Sequence, residues 1–586
     1  MNSKGAVMKF HNGLKRPATR ALVAAATALA TMTGMVVASA GTASAAPGCS
    51  VSYSKNDWGS GFTANITITN TGDAITSWTL RFSYAGNQTV TSGWNATVTQ
   101  SGQQVTAVNA AHNGSLATGA STSFGFNANY SGTNTDPTAF SVNNVSCGGT
   151  TTPPTDPTDP TDPTDPPDDP PPGNRVDNPY AGATPYVNPD WAANARSSGG
   201  AGIANQPTFV WMDRIAAIEG TTGARGLREH LDTAVSQGAN LFQVVIYNLP
   251  GRDCAALASN GELGPTDLTR YQREYIDPIA AILDDPAYAN MRIVAVVEID
   301  SLPNLVTNTG GRETATPNCD TMLANQNYQN GISYALAKLG DVGNVYSYLD
   351  LGHHGWLGWD DNFTPFADLV ANQVVGRNGA TAADIHGFIS NVANYGPTHE
   401  PYFTINDSVG GTSVRQSSWV DWNRYVDEAS FAKAYGDLFT QRLGHRVSIL
   451  IDTSRNGWGG SARPTGPGPT TSVDAYVDGG RTDRRIHTGN WCNQSGAGIG
   501  ARPASAPESG IDAFVWVKPP GESDGASEEI PNNEGKGFDQ MCDPSYTGNP
   551  RNGNNPSGAL DNAPLSGHWF DAQFRQLVAN ANPPIN

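Results

Sequence analysis

The sequence predicts a multidomain chain: an all-β sandwich first, a Pro/Thr/Asp-rich linker next, and an α/β domain on a parallel sheet last. Three observations predict it. Residues 148–174 carry T-D-P four times from Thr155 and then P-P-D-D-P-P-P. Proline fixes φ and the aspartates repel one another, so this stretch cannot fold compactly. Ahead of it, short runs with period-two alternation are separated by turn residues, as in a sandwich. Behind it, apolar strand-like runs alternate with amphipathic helical stretches, the mark of an α/β fold. At 586 residues the chain is too long for one ordinary domain.

Residues 1–46 read as a secretory signal. Lys4, Lys9, Lys15, Arg16 and Arg20 precede an apolar, alanine-rich run over 21–40, and small residues follow at Ala43, Ser44, Ala45 and Ala46. That is an A-x-A type of cleavage site. The chain is therefore expected to be secreted, with its six cysteines in disulfides by default. Fifteen connectivities are possible. Pairing in sequence order is preferred because Cys49 and Cys147 bracket a separate domain; it joins Cys254 to Cys319 and Cys492 to Cys542. No C-x-x-C or H-E-x-x-H spacing occurs, so no metal is expected, and no cofactor.

Charge narrows the partners. Lys and Arg number 34 against 53 Asp and Glu, a formal charge of −19. Losing the five basic residues of the signal makes the mature chain more acidic still. Such a surface repels nucleic acid and anionic membranes. A neutral polysaccharide suits it better. The chain is expected to act as a monomer.

The sandwich is expected over 47–147. Its strand runs include 63–69 (TANITIT), 78–84 (WTLRFSY) and 89–98. Trp78 sits within an alternating run and is expected in the core. Trp58 and Trp94 lie among Gly, Ser and Asn, where burial is disfavoured. A flat exposed indole can stack on the apolar face of a sugar ring. The linker at ~3.1 Å per residue would hold its neighbours several tens of ångströms apart.

The α/β domain is expected over 175–586. Residues 241–247 (LFQVVIY) and 291–299 (MRIVAVVEI) are almost wholly apolar, as buried parallel strands are. Each is followed by an aspartate, Asp253 and Asp300. A carboxylate just past a parallel strand lies where α/β barrels build active sites. Two of them suggest acid/base chemistry on a bond that needs both. Further strands are expected at 345–349, 447–451 and 511–517. Apolar helical stripes run through Tyr275, Ile279, Ile282 and Leu283, and through Phe570, Phe574, Leu577 and Val578. Two long polar stretches, 521–567 and 394–422, are expected to be lids over one cleft, since loops this long in a compact domain often cover active sites.

Six motifs follow in order: R-D-C-A-A-L-A-S-N-G-E, V-E-I-D-S-L-P-N-L-V-T-N, Y-L-D-L-G-H-H-G-W-L-G-W, I-D-T-S-R-N-G, G-N-W-C-N and W-V-K-P-P-G-E-S-D-G. Together they resemble the signatures of family 6 glycoside hydrolases over nearly all of 178–586. The resemblance implies a distorted parallel barrel that hydrolyses β-1,4-glucosidic bonds in cellulose with inversion, releasing mainly cellobiose from non-reducing ends. It implies Asp300 as general acid, Asp253 as the group that raises its pKa, Ser259 as a holder of the attacking water, and Asp524 as candidate base. It implies Tyr247 beside a distorted sugar, Trp356, Trp359 and Trp491 as stacking platforms, and Arg252, Asp350, His353, Lys518 and Glu522 as further substrate contacts. Arg455 would order the centre. Tyr186 stands where related enzymes carry a stacking tryptophan, Trp516 reads as core, and His354 and His487 read as structural.

The sandwich resembles family 2 cellulose-binding modules through its terminal cysteines, N-D-W-G-S-G-F, W-N and N-G-S-L-A-T-G-A-S. That resemblance implies binding to insoluble cellulose through Trp58 and Trp94, with His112 at a third position usually aromatic. Two alternatives stay open on the sequence: an endoglucanase of the same family, and a non-catalytic cellulose-binding protein.

Overall fold

The computed structural model describes residues 48–147 except 58, 112, 119, 133, 138 and 144, and residues 175–585 except 222. The expected signal and linker, Trp58 and His112 lie outside the described residues. The chain divides into two compact units.

The first unit is all β: β1 (Cys49–Asp57), β2 (Gly61–Asn70), β3 (Thr79–Ser83), β4 (Thr89–Trp94), β5 (Ala96–Ser101), β6 (Gln104–Asn109), β7 (Ser121–Asn129), β8 (Phe140–Val142) and β9 (Val145–Cys147). They form two antiparallel sheets, ordered β1-β2-β7-β4 and β5-β6-β3-β8-β9. Alternation explains the sandwich. On β2, Phe62, Ala64, Ile66 and Ile68 are buried, and Thr63, Asn65 and Thr67 between them are not. The inward residues meet Leu80 and Phe82 from β3 of the other sheet and Phe124 and Phe126 from the adjacent β7. Each such side chain contributes about 1.5–3 kcal/mol on burial. Trp78 is fully buried as expected, and its Nε1 donates to the Asn113 carbonyl at 2.8 Å. Cys49 and Cys147 are bonded and tie the first strand to the last.

Trp94 is different. It is 40 % exposed and pairs across the sheet with Gly125. A Cβ at residue 125 would lie 2.3 Å from the indole. The indole therefore lies close against the backbone at residue 125, and only glycine there permits that approach.

The second unit carries the predicted α/β fold. Its strands are β10 (Val210–Met212), β11 (Gly220–Thr221), β12 (Ala224–Arg225), β13 (Leu241–Ile246), β14 (Arg292–Val297), β15 (Val345–Asp350), β16 (Gly387–Ser390), β17 (Ser408–Val409), β18 (Thr412–Ser413), β19 (Ser448–Asp452), β20 (Ala504–Glu508) and β21 (Ile511–Val515). Eight form one sheet in the order β10-β13-β14-β15-β16-β19-β21-β20, parallel except for the last pair. The pairs β11–β12 and β17–β18 are small hairpins. The sheet curls until its first strand meets the chain leaving β21. Phe209 donates its N–H to the Trp516 carbonyl at 3.1 Å, and Trp211 Nε1 donates to the Val517 carbonyl at 2.8 Å. These two bonds, rather than a full ladder, close the distorted barrel.

Strand alternation divides the apolar residues into two cores. Phe242, Val244, Ile246, Ile293, Ala295 and Val297 face outward, against helices that include Leu227–Ser236, Asp277–Leu283, Asn327–Gly340, Asp360–Leu369 and Glu428–Leu443. Val245, Val294, Val296, Tyr348, Leu450 and Val515 fill the barrel. Both predicted helical stripes form. Ile279, Ile282 and Leu283 lie on Asp277–Leu283, with Tyr275 on the π-turn before it. Phe574 and Leu577 pack from Asp571–Ala579 onto Trp458 and Trp516, which is core as expected. Among the described residues no helix is long and apolar enough to cross a membrane.

Candidate active site

The inward face of β13 runs one residue past the strand to Tyr247, which belongs to the barrel core. Its hydroxyl donates to Asp253 Oδ2. Arg252 is buried rather than paired at the surface. Its guanidinium donates to the carbonyls of Tyr247, Asp213, Ser259 and Asn260 and lies 4.1 Å from the centre of the Tyr247 ring. This side chain braces the loop that carries Asp253 and Ser259. The Cys254–Cys319 disulfide closes the same loop onto the helix Pro317–Asn325.

At the end of β14 the chain turns sharply. Glu298 and Asp300 have φ of 55° and 52°, and Asp253 across from them has 53°. Left-handed backbone at three acidic residues is strained and persists only where neighbours hold it. The neighbours are visible. Glu298 accepts the N–H groups of Asn248 and Leu249 at 3.1 and 3.0 Å, which ties the end of β13 to β14. Asp300 donates its N–H to Asp350 Oδ2 at 3.0 Å and accepts Asn304 Nδ2 on its carbonyl at 2.6 Å.

These carboxyls titrate far from their ordinary range. Burial, then Asp350, Asp253 and Asp524, push Asp300 well above it. Burial raises Asp253 to about 7, opposed by Arg252 and the Tyr247 hydroxyl. Burial raises Asp350 to about 6 and Glu298 to about 7, each opposed by the N–H groups it accepts.

Asp524 comes from the far side of the barrel mouth. Its carboxylate accepts Arg455 Nη1, the Tyr395 hydroxyl and the Asn493 N–H, all at 2.8 Å. Arg455 is fully buried and also donates to the Ala393 carbonyl. Ser259 Oγ lies 3.5 Å from the Asp524 carbonyl. Beside them Lys518 Nζ donates to the Ser523 carbonyl at 3.0 Å; burial lowers its pKa. Burial raises Glu522 to about 7, opposed by Lys518.

Asp253, Ser259, Asp300, Lys518, Glu522 and Asp524 line one cavity of about 670 Å³. Every predicted catalytic residue lines it. So do the predicted substrate residues except Asp350 and Arg455, which stand behind Asp300 and Asp524. His353 lines it with an unpartnered, buried Nδ1; burial and Arg485 hold its pKa well below the usual range. Trp356 and Trp359 are fixed by their Nε1 atoms, which donate to Thr307 Oγ1 at 2.8 Å and the Asp421 carbonyl at 2.7 Å. Trp491 adjoins the Cys492–Cys542 disulfide. Tyr186 is instead buried, bonded to His230 Nδ1 at 2.9 Å. His487, read as structural, lines the cavity.

Sequence reasoning missed Trp211, Tyr395 and Glu298. Trp211 lines the cavity with its ring edge-on to Tyr247, 5.3 Å between centres. Its strand has three residues, too few to show a period. His353, His354 and Glu428 form the one group among the described residues close enough to share a metal. Glu428 already accepts the N–H and Nδ1 of His354 and the Ser390 hydroxyl, so it braces the loop after β15.

The two predicted lids differ. Segment 521–567 lines the cavity and is tied to its rim. Glu534 pairs with Arg214 at 2.8 Å, Lys536 with Asp213 at 3.2 Å, and Asp539 accepts the Leu257 N–H at 2.8 Å. Of 394–422 only Asn394 lines the cavity. That wall comes instead from 487–491 and Arg551.

Known proteins match this arrangement. Residues 176–581 match the model of Glycosyl hydrolases family 6, and residues 49–147 match that of a cellulose binding domain. Exoglucanase A of Cellulomonas fimi is 50 % identical over 435 residues, which cover 70 % of this chain and 49 % of that protein, so the chain spans about half of its length. Exoglucanase 2 of Hypocrea jecorina is 34 % identical over 69 % of this chain and 75 % of its own. The solved catalytic domain of Cellulomonas fimi Cel6B is 49 % identical, with a TM-score of 0.66 over 70 % of this chain and 96 % of that one. With the predicted carboxylates gathered at the mouth of a distorted parallel barrel and a family match over most of its length, the chain belongs to glycosyl hydrolase family 6.

Proposed function

We propose that this protein is a secreted cellobiohydrolase that cleaves β-1,4-glucosidic bonds of cellulose with inversion and releases mainly cellobiose from non-reducing chain ends. The observation that carries the reading is Asp300: a buried carboxyl whose pKa burial and three other carboxylates push well above the usual range, on a cavity lined by tryptophans. The relatives named above as exoglucanases support the same activity.

In this reading Asp300 gives its proton to the glycosidic oxygen as the bond to the anomeric carbon breaks. Water attacks that carbon from the opposite face. Ser259 holds the water. Its proton passes to Asp524, whose carboxylate Arg455 and Tyr395 hold in place. Exchange with solvent returns the proton to Asp300. Asp253 keeps the pKa of Asp300 high and is itself steadied by Tyr247. Trp356, Trp359 and Trp491 carry successive glucose rings, and His353, Lys518 and Glu522 hold hydroxyls. Arg252, Asp350 and Arg455 act through the groups they brace.

The rest of the chain fits an extracellular enzyme. Residues 1–46 direct export, 47–147 adsorb to cellulose through Trp58 and Trp94, 148–174 space the two units, and 175–586 perform the cleavage, all as a monomer. The ion-paired segment 521–567 at the cavity supports attack on chain ends, because a lid held there would admit an end far more readily than a mid-chain segment.

The test compares viscosity loss of carboxymethylcellulose with release of reducing sugar, alongside the product profile on swollen cellulose. Mainly cellobiose with little loss of viscosity is expected. A steep early fall in viscosity per bond cut would replace the exo reading by an endo one.

A further inference from the structure

Trp422 is the most exposed large apolar side chain among the described residues, at 57 %. It is not on a loose loop. Asp421 and Trp422 both have left-handed backbone, with φ of 44° and 65°. A bulky residue there is strained and must be held. Arg415 holds it: its carbonyl accepts the Trp422 N–H at 2.6 Å, and its guanidinium donates to the carbonyls of Trp422 and Asn423 at 2.6 and 3.1 Å. The same guanidinium lies 5.9 Å from the centre of the indole, within cation–π range. A strained backbone is thus locked to keep a large indole in water, where burial would ordinarily take it.

The lock is continuous with the cavity. The Asp421 carbonyl, in the peptide that joins it to Trp422, accepts Trp359 Nε1 at 2.7 Å. Trp359 lines the cavity and Trp422 does not. The Asp421 carboxylate is also near enough to His487 to act on its charge, and His487 lines the same wall. Its neighbour Ile486 is 49 % exposed. Two apolar side chains, Trp422 and Ile486, therefore stand just outside the wall that Trp359 and His487 form within.

We infer that Trp422 is a sugar-stacking platform outside the cavity, which binds the part of a β-1,4-glucan strand that extends beyond Trp359. The inference rests on the cellulase reading above and deepens it. A neutral glucan is the occupant that the continuity with Trp359 favours, because the peptide that carries Trp422 is bonded to the inner indole. A rigidly held indole offers a large stacking face at low cost in entropy.

The test uses the full chain and two substrates, cellotetraose and swollen cellulose, in a Trp94→Ala background so that adsorption by the first unit does not mask the effect. Trp422→Ala is expected to lower kcat/KM on swollen cellulose about fivefold and to leave cellotetraose within about twofold. Trp422→Phe should keep most of the long-chain rate, and Trp422→Leu should lose it, because stacking needs a ring. An unchanged rate on swollen cellulose, an equal loss on both substrates, or Leu performing as well as Phe would overturn the inference. Should the parent release no sugar from either substrate, the cellulase reading falls first and this inference with it.

Discussion

The N–H of Asp300 donates to Asp350 Oδ2 at 3.0 Å, so the residue proposed as the acid is held by a second carboxylate from the neighbouring strand. Asp350 closes β15, and Asp300 lies three residues past β14. Parallel pairing of β14 with β15 brings the two together. The bond fixes the left-handed turn at Asp300, and the charge on Asp350 helps keep the Asp300 proton in place.

Asp350→Asn should therefore act on both placement and pKa. Above pH 6, where Asp350 is ionised, removing its charge lowers the pKa of Asp300. The alkaline limb of kcat/KM should move to lower pH, with a loss of roughly 100-fold from misplacement of the acid. A pH–rate profile of the variant checks this. An unmoved limb would leave Asp350 only a structural role.

Much of this site was legible in the sequence because its carriers are long and regular. β13 and β14 are six-residue apolar runs, and their register follows from burial on both faces. The acids that follow them are close in sequence to the strands that position them. What was not legible depends on short or distant elements. β10 and β16 have three and four residues, so Trp211 had no period to announce it. Tyr395 reaches Asp524 across 129 positions, and Lys536 reaches Asp213 across a span more than twice as long. Neither contact leaves a local pattern. The polar stretch 394–422 looked like a lid because it lacks long elements, yet it packs on the helix Val473–Gly480 through Phe403, Val414 and Val420. Length alone does not say what a loop covers.

The first unit gives a second prediction. Trp94 lies against Gly125, with no room for a Cβ between them. Trp94→Ala should weaken adsorption to insoluble cellulose by about 1 kcal/mol or more. Gly125→Val should do the same with the indole still present, because it lifts the ring off the sheet. Depletion isotherms on crystalline cellulose measure both. Normal adsorption by either variant would take Trp94 off the binding face.

The carboxyls that burial raises should cost stability as pH rises through the neutral range. Glu298 has an ordinary value of 4.5 and stands near 7 in the folded chain. Between those values the folded state keeps a proton that the unfolded state has lost, so stability declines across that window and levels off above it. Asp253 near 7 and Glu400 near 8 act with the same sign. A shift of this size in Glu298 corresponds to roughly 3 kcal/mol. Buried His230 and His386, both near 4, act with the opposite sign, so the test is the difference between parent and variant: from pH 5 to pH 8 the Tm of Glu298→Gln should fall less, or rise more, than that of the parent. Calorimetry across the range checks it, and an unchanged slope in the variant would assign the pH dependence elsewhere.

The central claim is that Asp300 donates the proton to the leaving oxygen, and it is tested most directly by substrate dependence in Asp300→Asn. An aryl cellobioside with a good leaving group needs little protonation, whereas a cellulose chain needs it fully. The variant should lose roughly 1,000-fold or more on swollen cellulose and far less on the activated aryl glycoside. Equal losses on the two substrates would contradict the assignment and leave Asp300 as a binding or structural group.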